Sequence, residues 1–467
     1  MADIVPGERP DQPRSLPLRP GAFGGLTRGF AALGIRNYRL YWSGQVVSLV
    51  GTWMQMVSLP WLVLVLGGTP IQLGFVAVLQ FGPSMILAPF GGVFADRIDK
   101  RRALIVTQLA ACGQALALFV LTASGAISIP LVMVMAFVLG LVNAVDMPLR
   151  QALAPDLVSR NLLNNAIALN SMAFNSARVV GPALAGVIIA AGTSLTGSAV
   201  AGVAVNLGIN ALTYAAVLIG LVRMNPREIR RVDHPEQHPP VLESLGEGVR
   251  YAIRTPLVLW SLVLVGGVAA FGFNFQILLP LFSTEILRLG ADGYGALFGA
   301  MGIGSLGGSL TLAYMRSRRA IPLMLVGGVA FCALLIGIAV TRSLWLAVPL
   351  IVATGYASML MVNTINATVQ ANVTDALRGR VMALYVTVFA GTAPLGGLFA
   401  GAVTEAWGSP AAFVAGAALS AATIVLVAFG LRRAGKRGPL GVTTIGTREP
   451  PGHRDGQRLV RPASSAR

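Results

Sequence analysis

The sequence predicts an all-α integral membrane protein with twelve transmembrane helices in two six-helix bundles. Apolar residues make up 55% of its 467 residues, charged residues make up 11%, and the mean hydropathy is +0.73. A soluble domain carries about 25% charged residues and cannot hide so much apolar surface in one core. The apolar residues also form runs of about 20, the length that crosses a bilayer, and most basic residues lie between these runs.

Twelve apolar runs are long enough to span a membrane as helices. Their ranges are 39–66, 71–95, 102–123, 130–149, 163–191, 198–221, 257–285, 293–315, 320–341, 345–367, 380–404 and 410–431. The longest polar stretch between them divides the runs six and six. Within it, Val241 to Arg254 carries apolar residues at helical spacing, which predicts an amphipathic helix at the membrane surface.

These runs predict five regions of the chain. They are an N-terminal tail (1–38), a first bundle (39–221), a linker with the amphipathic helix (222–256), a second bundle (257–431) and a C-terminal tail (432–467). We expect both tails and the linker on one side of the membrane, because the number of crossings is even.

The distribution of basic residues predicts the orientation. Of 35 lysines and arginines, only Arg288 and Arg342 fall on the side away from the termini, and Arg178 falls inside a run. Because Lys and Arg concentrate in cytoplasmic loops, we expect a multi-pass protein of the cytoplasmic membrane with both termini in the cytoplasm. The same distribution accounts for the net charge of +17 without a nucleic-acid partner.

Motifs for metals, cofactors and catalysis are missing from the sequence. Cys112 and Cys332 lie in separate apolar runs, and the three histidines lie in polar segments, so no metal-ligand spacing occurs. The glycines from Gly302 to Gly307 fit GxGxxG, but they lie inside an apolar run with no preceding strand, and no GxxxxGK[ST] occurs. We therefore expect no cofactor and no enzymatic activity.

A charged motif closes the second run and forms the loop to the third. It reads Gly92-Val-Phe-Ala-Asp96-Arg97-Ile-Asp99-Lys100-Arg101-Arg102. This motif resembles motif A of the major facilitator superfamily, Gly-x-Leu-Ala-Asp-Arg-x-Gly-Arg-Lys, except that Phe94 replaces Leu and Asp99 replaces the second Gly. The resemblance implies the major facilitator fold and a gating role for the matching residues, which are Gly92, Asp96, Arg97, Lys100 and Arg101.

The same resemblance implies a contact for the acidic residue of this motif. In the state closed to the cytoplasm, Asp96 is expected to lie against the positive N-terminal end of the eleventh helix, near Val381.

Charges of both signs also close the fourth run and precede the eleventh. They are Asp146 and Arg150 in the first half, and Asp375, Arg378 and Arg380 in the second. Such charges suit an ion-pair latch that holds one access state and releases in the other. Ordinary ion pairing at the membrane surface is the alternative.

Arg178 lies halfway along the fifth run, near the bilayer midplane. A charge at this depth is costly and indicates function by default, and no Asp or Glu lies in the middle of any run. Arg178 can face a water-filled cavity and donate to Asn, to backbone carbonyls or to an anionic group of a substrate. A satisfied arginine between helices is the alternative.

Small residues follow Arg178, in the order Gly181-Pro182-Ala-Leu-Ala-Gly186. They resemble part of the antiporter motif C that exporters of the same superfamily carry on the fifth helix. Gly181, Pro182 and Gly186 therefore predict a site where the helix can bend, although small residues also serve close packing between membrane helices.

Polar residues inside the apolar runs are candidates for the wall of a substrate cavity, although inter-helix hydrogen bonds explain such residues equally well. The candidates are Arg178, Gln45, Thr52, Gln55, Asn175, Asn206, Asn210, Asn274 and Asn363.

The segment from Asp146 to Gly186 is similar to the exporter branch that includes the enterobactin exporters and macrolide efflux proteins. The superfamily resemblance covers residues 36–432 and implies a two-bundle carrier that works by alternating access, often with proton exchange. We therefore expect a monomer in the lipid bilayer that exports a small amphipathic molecule, such as a drug or a siderophore-like metabolite, with protons as coupling partner. A nutrient importer of the same fold and a non-transporting receptor or sensor are the alternatives.

Overall fold

The computed structural model describes residues 29–229, 241–315, 320–374 and 377–437, and within them it describes no side chains at 88–97, 241–242, 244–245, 313–314 and 436–437. The described residues are all-helical. Their α-helices are α1 Arg36–Val65, α2 Pro70–Arg97, α3 Lys100–Ala123, α4 Ile129–Asp156, α5 Leu163–Thr196, α6 Ala199–Arg223, α7 Val241–Arg254, α8 Pro256–Gly272, α9 Phe275–Leu281, α10 Ala291–Tyr314, α11 Ala320–Val340, α12 Leu344–Ala371, α13 Arg378–Gly391 and α14 Ala393–Arg437.

Eleven helical stretches in the described ranges are long and apolar enough to cross a membrane. The last of them, Arg378–Gly435, has 58 residues, which at 1.5 Å per residue amounts to roughly 87 Å and is enough for two crossings. Gly408 divides this stretch, because its φ of +84° is left-handed and not helical. The predicted fold of twelve transmembrane helices is thus confirmed, with the eleventh and twelfth crossings joined at Gly408.

The seventh crossing is broken, which the sequence analysis did not predict. It consists of α8, α9 and a π-helical turn, Phe282–Ile286. Phe273 and Asn274 separate α8 from α9, and Asn274 donates its side-chain amide to the carbonyl of Ala270 at 3.1 Å. Carbonyls that lose their helical partner need another donor in a membrane, so Asn274 stabilises the break.

Several helices extend beyond the predicted spans at the end of the molecule where α1 begins. The helix α4 continues to Asp156, whereas the predicted run ended at residue 149. That prediction was wrong because it stopped before the charge of Arg150, which has its partner, Asp146, inside the protein. Asp146 therefore lies within α4, ten residues before its last residue, and not at the end of the helix.

The predicted amphipathic helix is α7, and it packs against the second half of the chain. A Cβ atom placed on Gly248 would lie 3.1 Å from the carbonyl oxygen of Arg380 at the start of α13. Tyr251 donates a hydrogen bond to the carbonyl of Asn372 at 3.0 Å. These contacts attach α7 to the ends of α12 and α13. Its location at the membrane surface stays a prediction.

The helices of the first half (α1 to α6) and of the second half (α8 to α14) run between two ends of the molecule. We call the end where α1 begins the terminal end. The opposite end carries the turns at Gly125 and Gly408.

Candidate functional site

The two halves contact each other closely near the opposite end, at glycines. A Cβ atom placed on Gly186 of α5 would lie 2.8 Å from the carbonyl oxygen of Ala291 in α10, and one on Gly295 would lie 2.6 Å from that of Pro182. Helices α2 and α14 meet in the same way at Gly401. Real side chains do not come so close, so these glycines allow helices from different halves to touch.

The residues that resemble motif C take part in this packing. A Cβ atom on Gly181 would lie 2.5 Å from the Cβ of Trp53, so α1 crosses α5 at this glycine. The helix α5 continues without interruption from Leu163 to Thr196 through Pro182. What the structure shows for Gly181, Pro182 and Gly186 is therefore close helix contact, and a bend at these residues stays a prediction.

The contact between α5 and α10 ends at the level of Arg178. A Cβ atom on Gly302 of α10 would lie 3.2 Å from the carbonyl oxygen of Arg178. Further along α10, Gly304 and Gly308 face α12 of their own half. Helices α5 and α10 therefore diverge from this level toward the terminal end.

The burial pattern of α5 agrees with this divergence. Beyond Arg178, toward the opposite end, the buried residues cover a broad face: Gly181, Pro182, Ala185, Gly186, Ile189 and Gly192. Before Arg178 they form a single narrow stripe: Ala166, Leu169, Ala173 and Ala177. Met172 and Phe174 are each 43% exposed. We infer from this pattern a space between the halves that opens toward the terminal end and has its apex near Arg178.

Arg178 and three aromatic rings meet at this apex. The guanidinium carbon of Arg178 lies 5.8 Å from the centroid of the Trp53 ring. The Trp53 ring in turn lies 5.6 Å from that of Phe174 and 6.5 Å from that of Phe298. We call these four residues the apex cluster. Because Phe298 belongs to the second half and the others to the first, both halves contribute to it.

The structure corrects the prediction that Gln55, Asn206 and Asn210 line the cavity. Gln55 is 1% exposed, and both asparagines are 0% exposed. Asn210 donates to the side-chain oxygen of Gln55 at 2.5 Å, and Asn206 donates to that of Ser58 at 2.5 Å. These residues join α1 to α6 within the first half, because polar groups buried among membrane helices pair with one another.

The remaining cavity candidates have different surroundings. Thr52 donates to the carbonyl of Ser48 in its own helix at 2.9 Å. Gln45 is 7% exposed, and its side-chain oxygen has no partner among the described residues. Both lie on α1 of the first half, and neither belongs to the apex cluster.

Two further candidates are asparagines outside the buried set. Asn363 of α12 donates to Ser309 of α10 at 2.9 Å, which is a contact within the second half. Asn175 lies on α5, one turn before Arg178, and donates to the carbonyl of Ser171 at 2.8 Å. Asn175 is therefore the predicted polar residue that stays nearest to Arg178 along the chain.

Two basic residues of motif A bind within the first half. Lys100 forms an ion pair of 2.7 Å with Asp156, which joins α3 to α4. Arg101 donates to the carbonyls of Leu221 at 2.7 Å and Val222 at 2.9 Å. A cation at the C-terminal end of a helix is stabilised by the helix dipole. Both residues thus hold the terminal ends of α3, α4 and α6 together.

Asp99 replaces the second glycine of motif A without strain. It has a φ of −64° and accepts a hydrogen bond from the backbone N–H of Arg102 at 3.0 Å. Asp is a favoured N-cap residue, so it begins α3 in a conformation that needs no glycine.

The acidic residue of the fourth crossing lies in a buried polar cluster. Asp146 is 4% exposed and forms an ion pair with Arg150, one turn further along α4. It also accepts hydrogen bonds from Thr107 at 2.6 Å and from Gln108 at 2.7 Å, both on α3. This ion pair does not form the predicted latch between the halves, because Asp146 and Arg150 both belong to α4.

The other predicted gating residues are only partly described. The side chains of Gly92, Asp96 and Arg97 and the residue Asp375 lie outside the described part of the chain. Arg378 begins α13, and Arg380 forms an ion pair with Glu247 of α7. Sequence reasoning missed Glu247 because its partner lies 133 residues further along the chain, and it missed Phe174 and Phe298 because phenylalanine is common in apolar runs.

Comparison with known proteins identifies relatives of the whole helical region. The sequence matches the family described as "Transmembrane secretion effector" over residues 27–438. It is 25% identical to the enterobactin exporter EntS of Escherichia coli over 406 residues, which are 85% of this chain and 92% of the exporter. It is 26% identical to the multidrug efflux pump Tap of Mycolicibacterium fortuitum over 381 residues, which are 78% of this chain and 88% of the pump.

Two further similarities are shorter or more distant. The staphyloferrin A transporter of Staphylococcus aureus is 34% identical over 153 residues, which are 32% of this chain and 38% of that transporter. A crystal structure of a mutant nucleoside transporter, NupG, superposes with a TM-score of 0.65 at 13% identity, covering 85% of this chain and 99% of that one. At this identity the superposition shows a shared fold.

Proposed function

The chain belongs to the transmembrane secretion effector family of major facilitator transporters, and we propose that it exports small amphipathic molecules from the cytoplasm in exchange for protons. Family membership makes it a multi-pass secretion or efflux transporter related to siderophore and drug exporters. The proposed substrate class and coupling ion go beyond what family membership shows. The main observation that supports the proposal is the apex cluster.

The apex cluster offers two kinds of interaction to one ligand. The rings of Phe174 and Trp53 present apolar surface, the buried ring of Phe298 packs against Trp53, and Arg178 presents hydrogen-bond donors beside them. Binding sites for small molecules combine apolar walls with a few polar groups that fix orientation. An amphipathic molecule of modest size satisfies both parts.

The arrangement of the halves supports transport by alternating access. Close contact at Gly186 and Gly295 seals the opposite end, and the cavity opens at the terminal end. If the termini are cytoplasmic, as the basic loops predict, this conformation accepts substrate from the cytoplasm. Export then requires the halves to separate at the opposite end and to close at the terminal end.

Asp146 is our candidate for the residue that couples transport to protons. It is buried within a membrane-crossing helix and has three polar partner atoms, on Thr107, Gln108 and Arg150, that can rearrange when its charge changes. Ionisable groups inside membrane helices are costly and mark ion and proton pathways. Arg150 can balance the carboxylate in one state and release it in the other.

The gating role of motif A belongs to the same proposal. We propose that Asp96 binds the N-terminal end of α13 when the terminal end closes, since helix N-termini attract carboxylates. In the sequence Asp375 precedes α13 by three residues, and Arg378 and Arg380 lie in its first turn. We propose that these three residues complete the latch.

The test is uptake into inside-out membrane vesicles with an acid interior. A panel of fluorescent amphipathic dyes is offered from outside, which corresponds to the cytoplasmic face, and vesicles without the protein serve as control. We expect accumulation that nigericin abolishes, because nigericin collapses the pH gradient. Accumulation unchanged by nigericin would contradict proton coupling, and accumulation only in right-side-out vesicles would contradict export.

A further inference from the structure

Arg178 is a cation in mid-membrane without an anionic partner among the described residues. Its Nε atom is buried and has no hydrogen-bond acceptor. Among the described residues, the guanidinium of Arg178 forms no ion pair or hydrogen bond, and its carbon lies 5.8 Å from the centroid of the Trp53 ring. A membrane protein rarely keeps such a charge unless the charge acts on something.

Other basic side chains within the described part of the chain show how this protein normally treats a buried charge. Arg150 pairs with Asp146, and Lys100 pairs with Asp156. Arg101 donates to two backbone carbonyls. Arg178 differs from these residues because its charge is left without an acceptor.

Arg178 also lies too deep to reach water at the membrane surface. It is fifteen residues beyond Leu163, the first residue of α5, which corresponds to about 22 Å along the helix. Long side chains reach the interface only from positions near helix ends. The charge can therefore meet an anion only in the cavity between the halves.

We propose that Arg178 binds the anionic group of the transported molecule, and that the substrates are organic anions with one carboxylate and a ring-bearing apolar body. This inference rests on the proposed export function and specifies its substrate class. The planar guanidinium offers two parallel donors that match a carboxylate. The rings of Trp53 and Phe174 then cover the apolar body, with Phe298 buried against Trp53, and an uncharged analogue loses the contact with Arg178.

A purely structural role for Arg178 leads to different expectations. In that case its stacking on Trp53 would hold α5 against α1. Replacing it by Lys or Met would then lower the unfolding temperature, and every ligand would lose affinity to the same extent. In the binding role, Arg178→Met keeps or raises the unfolding temperature, since it removes a buried charge that has no partner.

The experiment measures equilibrium binding to the full-length protein in nanodiscs, with empty nanodiscs as control for partition into lipid. The probes are three matched pairs of dansyl amino acids, those of phenylalanine, leucine and tryptophan, each as free carboxylate and as amide. We expect at least one carboxylate to bind the wild type about tenfold more tightly than its amide. This comparison needs no variant and therefore does not depend on the folding of a mutant.

Variants then assign the preference to Arg178. Arg178→Met is expected to weaken carboxylate binding about tenfold and to change amide binding less than twofold, and Arg178→Lys to retain part of the preference. The matched control is Arg433→Met, because Arg433 also stacks on a ring, Phe429 at 4.0 Å, but near the end of α14. The control should leave the preference intact.

Two binding results overturn the inference. One is equal or weaker binding of every carboxylate relative to its amide in the wild type. The other is an equal loss of both ligands in Arg178→Met. Proton-driven vesicle uptake of both members of a pair at equal rates would overturn anion selectivity and leave the export proposal intact. Failure of the whole dye panel to accumulate would contradict export itself.

Discussion

The carboxylate of Glu405 accepts a hydrogen bond from the backbone N–H of Ile71 at 3.0 Å, across the boundary between the two halves. Ile71 belongs to the first turn of α2, where backbone N–H groups have no partner within the helix. Glu405 lies near the end of the eleventh crossing, in the second half. The contact therefore joins the halves at the opposite end, and the stacked rings of Trp61 in the first half and Tyr294 in the second are another contact between the halves.

Glu405→Gln should loosen the closure at the opposite end. A carboxylate at an exposed helix N-terminus contributes about 0.3–1 kcal/mol, so opening at this end should become roughly two- to fivefold more frequent. The measurement is the rate of maleimide labelling at Ala183→Cys, which lies in the contact between α5 and α10. Glu243→Gln, an exposed residue of α7, is the control, and equal labelling rates in both variants would contradict the role of Glu405.

Gly295→Ala should prevent the same closure by steric conflict. The new Cβ would lie 2.6 Å from the carbonyl of Pro182, which is backbone and cannot yield easily. We expect export activity to fall at least tenfold and labelling at Ala183→Cys to rise. Gly113→Ala is the matched control, since a Cβ on this helical glycine meets nothing within 4 Å. Normal activity in Gly295→Ala would show that the halves need no close contact there.

Asp146→Asn should separate substrate exchange from proton coupling. The amide keeps the size of the carboxyl group and can still bond Thr107 or Gln108, but it cannot release a proton. Uptake driven by a pH gradient should fall to the level of control vesicles, while exchange of labelled for unlabelled substrate across the membrane should persist. Loss of both activities in a protein that folds normally would argue against a role in coupling alone.

Arg150→Met alone should lower stability more than Arg150→Met combined with Asp146→Asn. The single variant leaves Asp146 buried without its cation, which costs about 3–5 kcal/mol. Asp146→Asn combined with Arg150→Met removes both charges and should recover most of this loss. Thermal unfolding of the purified variants decides the matter, and equal unfolding temperatures for the single and double variants would contradict a mutual dependence of the two charges.

The orientation predicted from the basic residues is testable with tags. Tags at Gly125, Thr196 and Gly408 should be accessible from outside intact cells, and tags at Asp99, His238 and the C-terminus only after lysis. Labelling of the first three only after lysis would reverse the topology and, with it, the assignment of the cavity to the cytoplasm.

The sequence predicted the crossings because apolar runs of helical length are a local property of the chain. It did not predict the break between Phe273 and Asn274, although Gly272, Asn274 and Pro280 lie in the run from 257 to 285, because Gly, Pro and isolated polar residues also occur inside unbroken membrane helices. The cavity candidates were the least successful part. Asn206 and Asn210 fall on one face of a helix, but only the packing of α1 shows that this face is buried.

The sequence also did not predict the polar residues that surround Asp146. Its partners Thr107 and Gln108 lie almost 40 residues earlier, and no spacing rule relates positions on two different helices. Arg178 could be singled out from the sequence because a lone charge in an apolar run is itself the signal. The rings around it became apparent only once α1, α5 and α10 were brought together.

The attachment of α7 to α12 and α13 has a consequence for expressing the transporter as two separate polypeptides. Since Gly248 and Tyr251 contact only segments of the second half in the interactions described above, a fragment that begins before Val241 retains the packing of this helix. A fragment that begins at Pro256 exposes the surface beneath it and lacks the anionic partner of Arg380. When the chain is divided at residue 255, α7 stays on the first fragment and must find the second half without a covalent connection. Co-expression should therefore restore more transport when the chain is divided between residues 229 and 241 than when it is divided at residue 255.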